Sequence, residues 1–305
     1  MKNAAILALL FCAMALTTAA SSQTWVSNSG SDTGACPITA PCRTFAYAVA
    51  QTPAWGQLSV LNAGDYGPVT ITQAIRIDGG GFATNVVSSY SGIGVEAPPG
   101  SVVQLHNLSL HGNGGEIGIL FLGSGGLDID NVQISGFEIG IYGLATAPAQ
   151  NLVIKDTTIE DVAQYGMYIQ GASAANLNSV EIINTHVRYA NYGIYAYYAS
   201  ISVLNSTFMA PNGGTTADNL GNFGTGIASD SSNIVVDHCQ INGYEVGMDS
   251  TYSLSQINGS SFLDNFIAVS GNAPTVSNGT NTSFNNPDNL IVNGNSASAI
   301  RAITW

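Results

Sequence analysis

Three columns of side chains in this sequence have the types and the spacing for work on a carbohydrate. One reads His106, Asp130, Lys155, with Asp128 two places before Asp130. A second reads His111, Ser135, Glu160, Arg188, with His186 two places before Arg188. A lysine or arginine base can take the proton beside a uronate carboxyl, while paired aspartates hold Ca²⁺ that neutralises that carboxyl. On this reading Lys155, Asp130 and Arg188 are the catalytic candidates, and Asp128 with Asp130 the metal ligands; Ca²⁺ is the one cofactor considered. The third column is Tyr142, Tyr168, Tyr195, joined by Tyr197 and Tyr198. A planar aromatic stripe can stack on sugar rings, and His106 and His186 would add polar contacts. A plainer account competes at each column. Asp130–Lys155 and Glu160–Arg188 would be exposed ion pairs worth under ~1 kcal/mol each, and the tyrosines a structural stack worth ~0.5–1.5 kcal/mol per pair.

These columns exist only if the chain coils with a fixed period. Each copy opens on an alternating apolar strand that ends at a small polar residue: Val103 to Asn107, Leu127 to Asn131, Leu152 to Asp156, Ile201 to Asn205. A shorter strand pivoting on glycine follows: Ile117-Gly118-Ile119, Ile139-Gly140-Ile141, Tyr165-Gly166-Met167, Tyr192-Gly193-Ile194. The bends Asn107, Asn131, Asp156, Asn184, Asn205, His238, Gly259 and Asn281 lie 21 to 33 residues apart. That period marks a solenoid, and short strands without amphipathic helices make it a β-coil. Stacked copies place Leu105, Ile129, Ile154, Ile182, Val203, Val236 and Ile257 in one inward column. Leu110, Ile134, Ile159, Val187, Phe208, Ile241, Phe262 and Phe284 form another. Asparagine tolerates the bend and can bond its copies above and below. Repeated glycine points to positive φ or close backbone approach. Rungs would lie about 4.8 Å apart, with same-face residues on one strand about 6.7 Å apart. The second spacing would also suit the carboxylate pair of an inverting glycosidase at Asp128 and Asp130. The fold class expected is all-β: a right-handed single-stranded parallel β-helix with a short N-terminal capping helix.

Residues 1–20 read as an export leader: Lys2, an apolar run from Ile6 to Leu16, then Thr18-Ala19-Ala20. The run is too short to span a bilayer, and no later stretch is long enough. Residues 21–85 are expected to form the cap and first coils, 86–290 the β-helix, and 291–305 a C-terminal cap ending in Trp305. Within the cap, Thr44 to Gln51 reads as a helix burying Phe45, Ala48 and Val49 and stopped by Pro53. Only 8% of residues are charged. Without Lys2, five basic residues face nineteen acidic ones, a net charge of −14. That excludes nucleic acid and anionic membranes as partners and weighs against acidic polysaccharides. Cys36 and Cys42, six apart, suit a small disulfide loop in an oxidising compartment. Cys239 falls in an inward column as a buried apolar residue. The insertion from Pro211 to Phe223 reads as a tolerated spacer.

The opening resembles exported right-handed β-helices of the pectate-lyase-like superfamily. The matching residues are Val26-Ser27, Gly30-Ser31-Asp32, Pro41-Cys42-Arg43-Thr44, Gly64-Asp65-Tyr66, then Val69, Ile71, Ile75, Ile77 and Gly79. With the later repeats the resemblance covers essentially the whole chain after the leader. It implies the architecture; that superfamily spans lyases, hydrolases, epimerases and members without a known reaction. No complete catalytic motif of any such family is present, and the turns flanking Lys155 and Asp130 are too short to wall a cleft. The reading preferred is therefore a secreted β-helix contacting a polysaccharide or cell-surface glycan without catalysis. A Ca²⁺-dependent uronate lyase or a glycoside hydrolase is the second reading, and a structural or adhesive surface protein the third.

Overall fold

A computed structural model of the chain describes residues 23–292, apart from 87–89, 145–150, 173–177, 212–223, 273–274, 279, 285 and 287. The export leader, most of the Pro211–Phe223 insertion and Trp305 lie outside the described residues. The chain is a parallel β-helix. Strands ending at the polar bends pair rung on rung in an eleven-stranded sheet, from Gln23–Val26 to Thr275–Asn278. A second sheet has two limbs: the short strands after each bend, such as Thr158–Glu160, and the glycine-centred strands, such as Tyr165–Gln170. The register is the one the repeat predicts, with Leu105 beside Ile129, Ile129 beside Ile154 and Ile154 beside Ile182. All four are fully buried, as are Leu110, Ile134, Ile159 and Val187 in the second column.

Each coil turns three corners, and left-handed residues make them. At the first corner Asn107, Asn131, Asp156, Asn184, Asn205, His238 and Gly259 have φ between 48° and 54°. Asparagine and aspartate reach that region at low cost and then use their side chains. Asn131 Nδ2 donates to Asn107 Oδ1 at 2.7 Å, Asn107 Nδ2 to Asp78 Oδ1 at 3.1 Å, and Asn184 Nδ2 to Asp156 Oδ1. Burial raises the Asp78 carboxyl's pKa, but bonds from Asn107, Gly80 and Arg76 outweigh it and hold it below the usual range. Asn131→Ala should lower stability by about 1–2 kcal/mol, since it strains φ and removes a rung-to-rung bond. An unchanged urea midpoint would remove the ladder from the account. The second corner uses Gly136, Asp161, Tyr189, Gly243 and Asp264, and the third Tyr198, Ser231 and Tyr252.

One ladder runs inside the coil beside the first corner and has no counterpart in the sequence reading. Thr157, Thr185, Ser206, Cys239 and Ser260 are buried and bond the carbonyl two residues earlier. The Ser206 and Ser260 hydroxyls also accept from the backbone N–H one rung before, of Thr185 and Cys239. Asn281 belongs to this inner ladder, accepting from Ser260 N at 2.8 Å and donating to Ile257 O at 3.0 Å. It is therefore not the eighth bend residue. The last rung pairs Phe262 with Ser283 and Leu263 with Phe284, one residue off the expected register. Phe284 accordingly turns out to half exposure instead of filling the column. A one-residue slip moves a side chain to the opposite face of a strand.

The glycines of the short strands resolve the two readings offered for them. None of Gly118, Gly140, Gly166, Gly193, Gly226 or Gly247 has positive φ. Each instead lies under the next rung's backbone, so that a Cβ would sit 2.4–2.7 Å from a carbonyl oxygen.

The helix Phe45–Gln51 forms at the N-terminal end with Phe45, Ala48 and Val49 buried. Thr44 caps it by accepting from Tyr47 N, and Thr52 closes it just before Pro53. Asp32 accepts from the backbone N–H of Arg43 and Thr44 and from the Thr44 hydroxyl, which holds this end together. Cys36 and Cys42 form a disulfide. Cys239 is free and buried, and burial pushes its thiol up to about 11. Asp288–Val292 adds the final strand. Among the described residues, no helix is long and apolar enough to cross a membrane.

Candidate functional site

The alternation of the strands sets all three polar columns outward, and the corners then divide them among three sides. His106, Asp130 and Lys155 are adjacent on the first sheet, with Asp128 on the same strand as Asp130. His111, Ser135, Glu160 and Arg188 are adjacent on the first limb of the second sheet. Arg188 therefore lies around a corner from Asp130 and Lys155, and the three do not share one strand face. His186 sits between Thr158 and Thr207, on the same limb as Arg188.

Neither expected ion pair forms. Among the described residues no carboxylate lies within ion-pair distance of Lys155 or Arg188. Exposed pairs gain too little to offset the ordering of long side chains. Asp130 faces His106 instead, Oδ2 to Nδ1 at 3.3 Å. The other ring nitrogen of His106 and Asp128 Oδ1 are buried without a partner. His111 bridges Ser135 Oγ at 2.6 Å and Ser109 Oγ at 3.3 Å. No described cluster joins three or more His, Cys, Asp or Glu side chains in a metal-binding arrangement. Two aspartates, one engaged by His106, fall short of the six to eight oxygens calcium takes. The residues present do not fit Ca²⁺.

The tyrosines do assemble. Tyr142, Tyr168 and Tyr195 are register partners on the second limb. Tyr168 and Tyr195 stack at 5.1 Å and 19°, and Tyr142 meets Tyr168 edge-on at 5.0 Å. Tyr165 and Tyr192 join them, stacked on each other at 5.0 Å and meeting Tyr168 and Tyr195 edge-on. The repeat pattern alone marks these two as framework beside the glycines. The buried pair Gly166–Met167 breaks strand alternation, so Tyr165 and Tyr168 end on the same side, as the pattern in Tyr165–Gln170 shows. Two consecutive Tyr-Gly-x-Tyr copies, Tyr165 to Tyr168 and Tyr192 to Tyr195, are the signal in the sequence. Tyr197 and Tyr198 lie at the edge, 4.0 Å between ring centres.

The stack ends abruptly. On the next rung Tyr195 is partnered by Ala228, and Tyr197 by Asp230. One face of Tyr195 is covered by Tyr168, while its register partner on the opposite side is Ala228. Beyond Ala228 the column continues as Asp249 and Ser270, with Ser270 Oγ donating to Asp249 Oδ1 at 2.6 Å. The result is an aromatic wall above a small step, with two carboxylates beside it.

The phenols stay neutral. Burial first, then neighbouring tyrosines, raises the pKa of Tyr142, Tyr165 and Tyr168; burial and then Asp230 raise that of Tyr195. Tyr197 is pushed up to about 12, chiefly by its hydrogen bond with Tyr198. A phenol whose folded pKa exceeds its unfolded value near 10 adds stability that is whole below pH 10 and lost as pH rises through the folded value. Stability measured by urea unfolding should therefore hold to about pH 9 and fall steadily above about pH 10. The fall should be smaller in Tyr165→Phe; an identical slope would contradict it.

The family model described as "Right handed beta helix region" matches residues 62–208. No curated protein sequence matches the chain. Among solved structures the pectate lyase Pel9A is similar, at 12% identity and a TM-score of 0.65, over 90% of this chain and 78% of that one. The GH136 lacto-N-biosidase from Eubacterium ramulus is similar at 11% identity and a TM-score of 0.61, over 88% of this chain and 66% of that one. Identities this low speak to the fold alone. The chain has the fold of a right-handed parallel β-helix.

Proposed function

We propose that this protein is an exported glycan-binding β-helix whose tyrosine face takes an uncharged oligosaccharide and does no chemistry on it. The observation that carries the reading is the cluster of five mutually packed tyrosines on this face, ending where Tyr195 is partnered by Ala228. A sugar ring can stack on an aromatic face, and carboxylates accept its hydroxyls. Asp230 and Asp249 stand in place for that, and the same two charges repel a uronate or a sulfated sugar. Export is supported by the disulfide, which persists in oxidising compartments, together with the leader read in residues 1–20.

The test is affinity electrophoresis against a panel of neutral and acidic polysaccharides. Retardation by at least one neutral glycan, and by no polyuronate, is expected. If none retards the protein, a structural or adhesive surface role replaces this reading. The fold likeness to a pectate lyase and a lacto-N-biosidase favours an enzyme as the alternative. Lys155, Asp130 and Asp128 would be its centre. Release of unsaturated or reducing sugar, lost in Lys155→Ala, would establish that alternative.

A further inference from the structure

The outer face of the eleven-stranded sheet is a different surface from the tyrosine face, and it is unusual for a parallel sheet. Such sheets are normally covered on both sides. Here Val235 is 36% exposed, Leu254 64% and Val276 51%. Ile183 and Leu204 also stand outward, each half-buried. Lys155 is on this face, unpaired by any described carboxylate of its own chain although the protein is strongly acidic.

We propose that two copies of this chain pack face to face through this sheet, about a two-fold axis parallel to the strands. The axis lies between Asn178–Ile183 and Ala199–Leu204. A rotation about such an axis keeps each outward column over itself and reverses the order of rungs. The column before the first corner runs Asp130, Lys155, Ile183, Leu204, Asp237, Asn258. Folded about the chosen axis, Lys155 of one copy meets Asp237 of the other, and Ile183 meets Leu204. The neighbouring column sets Val153 against Val235 and Glu181 against Ser202. The third sets Leu254, the most exposed aliphatic side chain of the sheet, against Gly126. Gly126 lies in a shallow pocket of about 370 Å³ lined also by Val102, Asn151 and Val153. The knob and the hole are therefore on one chain, at rungs that the axis brings together. No like charges meet in these pairs, and moving the axis by one rung loses both the ion pair and the knob.

A second copy also fits the available area. Eight strands at ~4.8 Å by five residues at ~3.3 Å give about 600 Å² per copy. The total of about 1,200 Å² meets the size of a specific interface. The face carries Asp128, Asp130, Glu181 and Asp237, and the reversed stacking sets them against Gln256, Asn258, Ser202 and Lys155, so that no carboxylate meets another.

Sedimentation of the full chain over a range of concentrations tests the proposal. A monomer–dimer equilibrium is expected for the native chain. Lys155→Asp and Asp237→Lys should each raise the dissociation constant by roughly tenfold or more. The double variant should restore it to within about threefold, since the pair is only reversed. Leu254→Asp should leave a monomer with an unchanged thermal midpoint. A native chain that stays monomeric, or a double variant no better than the singles, overturns the proposal. Glycan retardation should be unchanged in Leu254→Asp, so this inference and the glycan reading fail separately.

Discussion

Gly166→Ala is expected to be the most damaging single-methyl change in the chain. The added Cβ would lie 2.4 Å from Val187 Cγ1 and 2.7 Å from the Gly193 carbonyl oxygen. Neither contact can relax locally, because Val187 fills the core column and Gly193 is hydrogen-bonded backbone of the next rung. Forcing an extra methyl into a packed interior costs about 1–3 kcal/mol. With backbone on one side and core on the other, the upper end, about 3 kcal/mol, is expected. Gly126→Ala is the matched control: its φ is not left-handed and the nearest atom to a Cβ is 3.6 Å away. Its loss of fold stability should stay within about 0.5 kcal/mol. Urea unfolding of both variants decides the matter, and equal midpoints would show that the glycine column is not set by backbone approach.

Tyr195→Ala carries the largest expected effect on binding. The substitution removes the last ring of the stack, whose partner on the next rung is Ala228, and leaves Tyr168 as a shortened end. A central aromatic contact of this kind is worth about 2 kcal/mol, so glycan affinity should fall about 30-fold. Tyr195→Phe keeps the ring and should cost no more than about threefold. Ala228→Tyr offers the opposite change. It places a further ring beside Tyr195 and should abolish retardation, with some loss of fold stability because Ala228 is itself buried. A merely structural tyrosine stack predicts otherwise: Tyr195→Ala would lose stability, and Ala228→Tyr would leave glycan contact as it was. Isothermal titration with the retarding glycan, beside a thermal melt, separates the two.

The three polar columns show how far periodicity can be pushed. Aligning copies at Asn107, Asn131 and Asp156 correctly makes Asp130 the neighbour of both His106 and Lys155. It cannot say which neighbour is engaged, since that depends on side-chain reach and solvation. His106 holds Asp130, and Lys155 is left to the solvent side. Nor does column alignment tell which columns share a side of the coil. Arg188 lies four places after its bend and Lys155 one place before its own, and the corner between them separates their faces. The glycan candidates fared differently, because Tyr142, Tyr168 and Tyr195 lie within one strand column and need no knowledge of the corners.

Where copies are irregular, the alignment drifts. Asn281 looks like another bend asparagine, yet it is drawn inside to satisfy Ser260 and Ile257, shifting Phe284 outward. A buried backbone group needs a partner, and that demand outweighed one aromatic's burial. The inner ladder of Thr157, Thr185 and Ser206 carries small polar residues at a position the apolar pattern leaves blank, so no hydrophobic signal could announce it.

What the residues alone determined was the coil: its period, its inward columns, its asparagine bends, its capping helix and its cysteine loop. All of these follow from local geometry repeated at a constant interval, and repetition makes a local preference legible. What only the tertiary structure decided was which outward residues meet and which surfaces stay open. The five-tyrosine cluster, the step at Ala228 and the bare face of the first sheet depend on where the corners fall. Corner positions are set by φ values and hydrogen bonds between rungs, which the sequence encodes only through the finished stack.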